Sequence, residues 1–254
     1  MCLINNRTTE QPLRSFGLAT CIARQAARLA LAMGLAAAAF TLPLTAASAA
    51  SHDEPTAAVK LDKDGTVWIA WTGEVVPGMA DYLHRVFLKY GLVSNRVVVT
   101  LDSPGGAVDE GERVIKALQE IKQTHRLITV VLNGSTCASM CVPIYLQGEE
   151  RFAAPVSIWL FHEAAEAGKN GTVRTDPKET LRLFKQYFVP AGVSLEWLNS
   201  ILPSIRQANL WMTGEDLITH HTGIITDPLD SRTVRAEVIP QPTSTSDRPH
   251  LDRQ

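Results

Sequence analysis

Between Asn133 and Gly148 the chain reads NGSTCASMCVPIYLQG, which gathers Ser135, Thr136, Cys137, Ser139 and Cys141 just ahead of an apolar run. Three chemistries are open to such a stretch. A hydroxyl serves as a nucleophile if a neighbouring base takes its proton. Two thiols can do redox or metal work. Small residues can simply let two backbones pack closely. The strand-like run RLITVVLN (126–133) leads into Gly134, so a helix starting here would set a hydroxyl at the positive end of its dipole. Read as helix from Cys137 to Gly148, at about 100° per residue, Cys137 and Cys141 share one face and Ser139 points the opposite way.

The thiols could close on each other in an oxidising compartment, although a helix does not hold that spacing in disulfide geometry. No His, Asp or third Cys stands at a ligand interval around them, so no metal is expected, and the pair reads as structural. A second unusual turn lies in VTLDSPGGAVDEGERV (99–114), where a buried strand meets Ser103-Pro104-Gly105-Gly106 before a helix. Paired glycines admit positive φ and let a ligand approach backbone N–H groups with no Cβ in the way. A third candidate is His162, which closes the apolar run VSIWLFHE (156–163) where it meets a charged loop. Its imidazole should emerge at the end of the sheet.

The elements that must hold these residues follow from hydrophobic period. VWIAWTGEV (67–75), RVVVTLDS (96–103), RLITVVLN and VSIWLFHE read as strands, apolar on nearly every residue; MADYLHRVFLKYG (79–91) and VDEGERVIKALQEIKQ (108–123) read as helices. Alternation of this kind argues for an α/β domain with a mainly parallel sheet buried on both faces. AAEAGKNGTVRTD (164–176) reads as loop, KETLRLFKQYFVPAG (178–192) as an amphipathic helix stopped by Pro190 and Gly192, SLEWLNSILPSI (194–205) as a short helix, TGEDLITHHTG (213–223) as a capped one and IITDPLD (224–230) as a last strand. Trp159, Trp197 and Trp211 are expected in the core. His220 and His221, beside Gly223, suit a helix C-terminus.

The first residues bear on location. Arg7, Arg14, Arg24 and Arg28 precede the apolar run LALAMGLAAAAFTLPL (29–44) and the small-residue end Ala47-Ser48-Ala49. This is the pattern of a cleavable secretory signal over 1–49, touching a membrane only if left uncleaved. About 205 residues remain, enough for one domain with a sizeable core. Residues 50–64 read as a flexible leader, 65–239 as the domain and 240–254 as a tail too polar to pack. The segment 1–49 takes four Arg and one Glu with it, so the remainder is more acidic than the formal net charge of −2 of the whole, which speaks against nucleic-acid binding.

Taken together, the SPGG turn, the G-x-x-C-A-S-M start at 134–140, a strand ending in Phe161-His162 and a downstream MTGEDLITHHTGII (212–225) resemble the Clp protease proteolytic-subunit family of the ClpP/crotonase superfamily. The likeness spans Val67 to Leu229. The form CASMC, with LQGEERFAAP (146–155) and FHEA (161–164), is most similar to its secreted or periplasmic branch. The resemblance implies a ClpP/crotonase-like α/β fold, a spiral of repeated ββα units with a C-terminal helical segment. It implies a serine hydrolase acting through an acyl-enzyme on peptides or loosely folded chains, with no cofactor. Ser139 would be the nucleophile, His162 the general base, and the N–H groups of Gly105 and Met140 the oxyanion hole. Where the family carries an Asp, this chain has Asn209, which orients an imidazole without supplying charge. Self-association is implied, with KETLRLFKQYF placed to mediate it. No ATP-driven unfoldase partner is expected outside the cytoplasm. Other readings are a Ser-Lys protease using Lys169, Lys178 or Lys185, an acyl-CoA enzyme on the same fold, and an interaction module that has lost efficient catalysis.

Overall fold

A computed structural model describes residues 56–167, 170 and 172–229. The proposed signal segment 1–49 and the tail 240–254 lie outside the described residues, as do 50–55 and 230–239. The main sheet has six strands in the order β1-β2-β3-β4-β6-β11, namely Thr56–Leu61, Thr66–Thr72, Arg96–Asp102, Arg126–Val131, Glu150–Ala153 and Asp227–Pro228. Only β1 runs antiparallel; every other neighbouring pair is parallel. A second sheet holds three strands in the order β10-β7-β5, namely Leu210–Thr213, Ile158–Phe161 and Thr136–Ala138. The helices are α1 (Met79–Tyr90), α2 (Val108–Lys122), α3 (Cys141–Tyr145), α4 (Pro177–Leu183) running into a π-helical turn (Phe184–Phe188), α5 (Leu195–Gln207) and α6 (Gly214–Thr219).

The units repeat a simple logic. A strand of the main sheet leads into a strand of the small one and then into a helix, as in β4-β5-α3 and β6-β7-α4. Parallel neighbours require such crossovers, because a hairpin cannot join them. One face of the main sheet, including Ile69, Val97, Val99 and Leu101, packs with Leu83 of α1 and Val114 and Leu118 of α2 in the main core. The opposite face carries a smaller cluster of Val98, Ile128, Val130, Ala154 and Leu229, with Trp68 and Phe152 only partly covered, so burial of the two faces is unequal. Glu110 ties α1 to α2 by accepting from the Ala80 N–H at 2.8 Å and from Arg113 at 2.8 Å. Arg151 of β6 donates to the carbonyls of Gly148, Ala191, Gly223 and Ile224, fastening the C-terminal segment to the sheet.

Several expectations need correction. Residues 56–61, read as leader, form β1, since alternate side chains, Ala57 and Val59, lie against the main core even though no residue of the strand is fully buried. The loop after His162 contains a short antiparallel hairpin, β8 (Ala165–Ala167) with β9 (Val173–Thr175). The helix expected over 194–205 is α5, capped by Ser194 and running two residues further, to Gln207. Trp159 and Trp197 are buried, but Trp211 is 57% exposed because it sits on the outer strand β10.

Tyr145 is fully buried edge-on to Trp159, with ring centroids 4.9 Å apart. Its hydroxyl has no hydrogen-bond partner among the described residues, and burial holds the phenol well above the ordinary tyrosine pKa. Tyr145→Phe keeps the ring pair and removes the unsatisfied hydroxyl. It is expected to stabilise the fold by about 1 kcal/mol, read as a rise in Tm. Because a raised folded-state pKa adds stability that is lost as pH climbs past it, the variant should also unfold less steeply above pH 10.

Candidate active site

The small sheet brings the candidates together. β5 pairs parallel with β7 (Cys137↔Trp159, Ala138↔Leu160), and the Ser139 N–H continues the ladder by donating to the Leu160 carbonyl at 2.9 Å. Ser139 then leaves the strand at φ 53, a left-handed conformation that among described non-glycine residues only His221 shares. Its carbonyl accepts from Val142 N–H at 3.0 Å and so begins α3. A serine at a sharp strand-to-helix turn has its hydroxyl lifted clear of both elements. Cys137 therefore lies in a strand and Cys141 in the first turn of a helix. The helical-wheel reading of 137–148 fails at this point, and the two cysteines, 5.2 Å apart at Cα, are joined in a disulfide.

Opposite this turn runs the Ser103–Gly106 segment. Ser103 bridges Cys137, exchanging Ser103 N–H to Thr136 O (2.7 Å) and Ala138 N–H to Ser103 O (3.0 Å). Gly105, at φ 93, lies so close that a Cβ there would stand 2.7 Å from the Ser139 Cβ and 3.0 Å from the Met140 nitrogen. Only glycine permits that approach. The Gly105 N–H, however, already donates to Ser103 Oγ at 3.2 Å. Gly106 bridges Val75 through its neighbours, Gly105 O and Ala107 N–H, which turns its own N–H away from Val75. Among the described residues the amides of Gly106 and Met140 have no acceptor. Met140 is fixed from behind, its side chain filling the space over Gly111 of α2.

His162 follows β7 directly and is half-buried. Its Nδ1 lies 2.5 Å from the Glu163 carbonyl oxygen. A carbonyl only accepts, so Nδ1 carries the proton and Nε2 is left basic. Asn209 precedes β10, and because Leu210 pairs antiparallel with Phe161, the register sets Asn209 across from His162. It is exposed and makes no hydrogen bond among the described residues. The acids that might replace it are occupied. Asp176 caps α4, accepting from Lys178 and Glu179 N–H groups, and Asp216 closes a capping box with Thr213, which lowers its pKa. Glu163 is buried and turned to Arg206 of α5, with Oε1 3.4 Å from its Nε as an ion pair that makes no hydrogen bond.

Ser139, Met140 and His162 line one cleft with a cavity volume of about 50 Å³, whose other walls are Val108, Pro143, Leu160, Phe161, Leu183 and Phe188. Neither Lys178 nor Lys185 lines it, and Lys169 lies outside the described residues. Leu183 and Phe188 come from α4 and its π turn. That segment is anchored to α2 by Arg182 to Glu112 (2.7 Å) and by the Tyr187 hydroxyl donating to Glu112 (2.8 Å). The π turn, the Gly106 amide and the Glu163 carbonyl were not legible as site features; only the glycine pair gave a signal.

The Clp protease family matches over residues 67–185. The fold is similar to that of an Asn-to-Asp mutant of ClpP1 from Listeria monocytogenes, at 22% identity and TM-score 0.50, over 66% of this chain and 92% of that one. It is also similar to a Ser-to-Ala mutant of the 1510-N membrane-bound stomatin-specific protease, at 17% identity and TM-score 0.52, over 66% of this chain and 80% of that one. A comparison with curated proteins gives no match. The expected ClpP/crotonase-like architecture is thus the observed one.

Holding Ser139 in the left-handed region costs about 1–2 kcal/mol that glycine avoids. Ser139→Gly is therefore expected to be about 1 kcal/mol more stable than Ser139→Ala in denaturant unfolding. Equal midpoints for the two variants would mean that the turn is not strained in solution.

Proposed function

We propose that this chain is an envelope-located serine peptidase that works through an acyl-enzyme at Ser139. The observation that carries the reading is the left-handed Ser139 turn, set in one cleft with His162 and beside two amides that have no acceptor among the described residues. His162 Nε2 takes the Ser139 proton as Oγ attacks the scissile carbonyl. The Gly106 and Met140 N–H groups receive the oxyanion, with Gly105 serving the close approach rather than donating. The imidazolium then protonates the leaving amine, and water repeats the sequence to release the acid. The Glu163 carbonyl holds the tautomer. Asn209 stands where a carboxylate would stabilise the imidazolium, so the reaction runs slower than in a site with an acid there.

The secretory pattern of residues 1–49 and a disulfide as the bond between Cys137 and Cys141 support the envelope location. Self-association belongs to the proposal, supported by Leu88 and Leu92, exposed to 80% and 101%. Substrates are peptides or loosely folded chains, and no nucleotide-driven partner is needed.

The test is labelling of the purified protein with a fluorophosphonate. Wild type should label, Ser139→Ala should not, and His162→Ala should label about 10²–10⁴-fold more slowly. Asn209→Asp should label at least about tenfold faster than wild type. An unlabelled wild type would instead favour an interaction module on this fold. In peptide substrates, the cleft's apolar walls should favour an apolar over a charged side chain beside the scissile bond by about 10–200-fold in kcat/KM. A preference for lysine or glutamate there would contradict the cleft assignment.

A further inference from the structure

The disulfide and the strained serine occupy the same five residues, with Cys137 and Cys141 enclosing Ala138, Ser139 and Met140. Extended, four peptide steps would carry Cys141 roughly 13 Å from Cys137. In a helix they would advance about 6 Å along the axis. The observed Cα separation of 5.2 Å is shorter than either, and it is reached because Ser139 reverses the chain at φ 53. With the sulfurs joined, Ser139 cannot relax into the β region, since that would drive the cysteines apart.

The remaining restraints on the turn are weaker. They are the hydrogen bonds Ser139 N–H to Leu160 O and Val142 N–H to Ser139 O, and the contact with Gly105. Both cysteines are 0% exposed, so the bond is shielded from reductant in the folded chain. A left-handed non-glycine residue persists only where its surroundings over-determine it.

We infer that the Cys137–Cys141 disulfide is a permanent positioning device, a covalent staple that holds the nucleophile turn and the Met140 amide in their working conformation. This rests on Ser139 being the nucleophile. The two cysteines act through Ser139 and Met140 and do not touch substrate. Without the bond the chain keeps its sheet and core while Ser139 samples conformations outside the left-handed region and the turn loses its single geometry.

The experiment compares the full chain with Cys137→Ala/Cys141→Ala and with the volume-conserving Cys137→Val/Cys141→Ala. Two readouts are taken well below the unfolding temperature of each. Hydrogen exchange by mass spectrometry should be at least about tenfold faster across 138–142 in both variants and unchanged in α2 and β3. Fluorophosphonate labelling of Ser139, and kcat on a peptide ester, should fall about tenfold to a hundredfold, with KM within about twofold. Unchanged exchange across 138–142 overturns the staple, as does a thiol count showing both cysteines free in the folded wild type. A wild type that does not label removes the nucleophile assignment instead, and the exchange readout still decides whether the disulfide orders the turn. Faster exchange everywhere, with loss of fold in both variants, assigns the bond to global stability and overturns the positioning role.

Discussion

The hydrogen bond from the Ser139 amide to the Leu160 carbonyl sets the geometry of the rest of the site. It is the last rung of the β5–β7 ladder, and it fixes where the chain is released from the sheet. One residue earlier, Ala138 still donates to Ser103, so the SPGG turn is held on the other side of the same strand. Two residues after Leu160 comes His162, and across β7 from it the antiparallel register delivers Asn209. The proposed nucleophile, oxyanion amides, base and orienting position thus all derive from one short sheet and the turn bridged to it, although they come from segments scattered over the chain. A slip of one residue in β5 would turn Ser139 to the opposite face, because side chains alternate along a strand.

The electrostatics of the site are mostly dipolar. Met140 lines the cleft, its amide and that of Gly106 have no acceptor among the described residues, a backbone carbonyl fixes the imidazole tautomer, and among the described residues no carboxylate bonds to His162. Nearby acids are present but committed, with Asp176 and Asp216 satisfying helix N-termini and Glu163 buried against Arg206. Burial and a cation partner make Glu163 costly to redirect toward His162, since its ion pair would be left half-made. The departure at Asn209 is therefore not quietly compensated by a neighbouring charge among the described residues. The Glu163 carbonyl, not Asn209, aligns the ring, and that separates orientation from charge stabilisation in this site.

Much of this was legible in the sequence because it rests on period and composition. The parallel strands around Val97–Leu101 and Leu127–Val131 are apolar on nearly every residue, and α1 and α2 show their buried stripes plainly. The motifs at 103–106, 134–140 and 161–162 stood out because turn glycines and strand ends carry position-specific chemistry, and the small sheet brings them side by side. What was not legible depended on tertiary contact. LWMT becomes a strand only because β7 offers it an edge, and the short Thr56–Leu61 does so against β2. The run CASMC reads as helix by propensity, yet the ladder to Leu160 holds its first half in β5. The disulfide was only a possibility in the sequence for that same reason, since a helix disfavours the pairing and the strand-to-helix turn brings the two cysteines together. Likewise, which glycine amide is free depends on where Ser103 Oγ points, and that is set by the bridge to Cys137.

The two walls of the cleft are held by different physics. On the nucleophile side the restraints are a sheet ladder, a glycine contact and a buried covalent bond, none of which responds much to salt or pH. On the other side α4 and its π turn are tied to α2 by Arg182, Glu112, Glu179 and Tyr187, charges and hydroxyls that remain partly in water. The Arg182 hydrogen bonds hold the Glu179 carboxyl below its usual range, while burial and the Glu112 carboxylate push the Tyr187 phenol up to about 12. Glu179 thus stays ionised and Tyr187 protonated across neutral pH, so the network persists there, yet ionic strength still weakens it. In the proposed enzyme a stapled wall facing an ionically held one would keep the reacting atoms fixed while leaving Leu183 and Phe188 room to adjust to different side chains. Such a division would suit the proposed peptidase, whose substrates vary in sequence but present the same peptide bond.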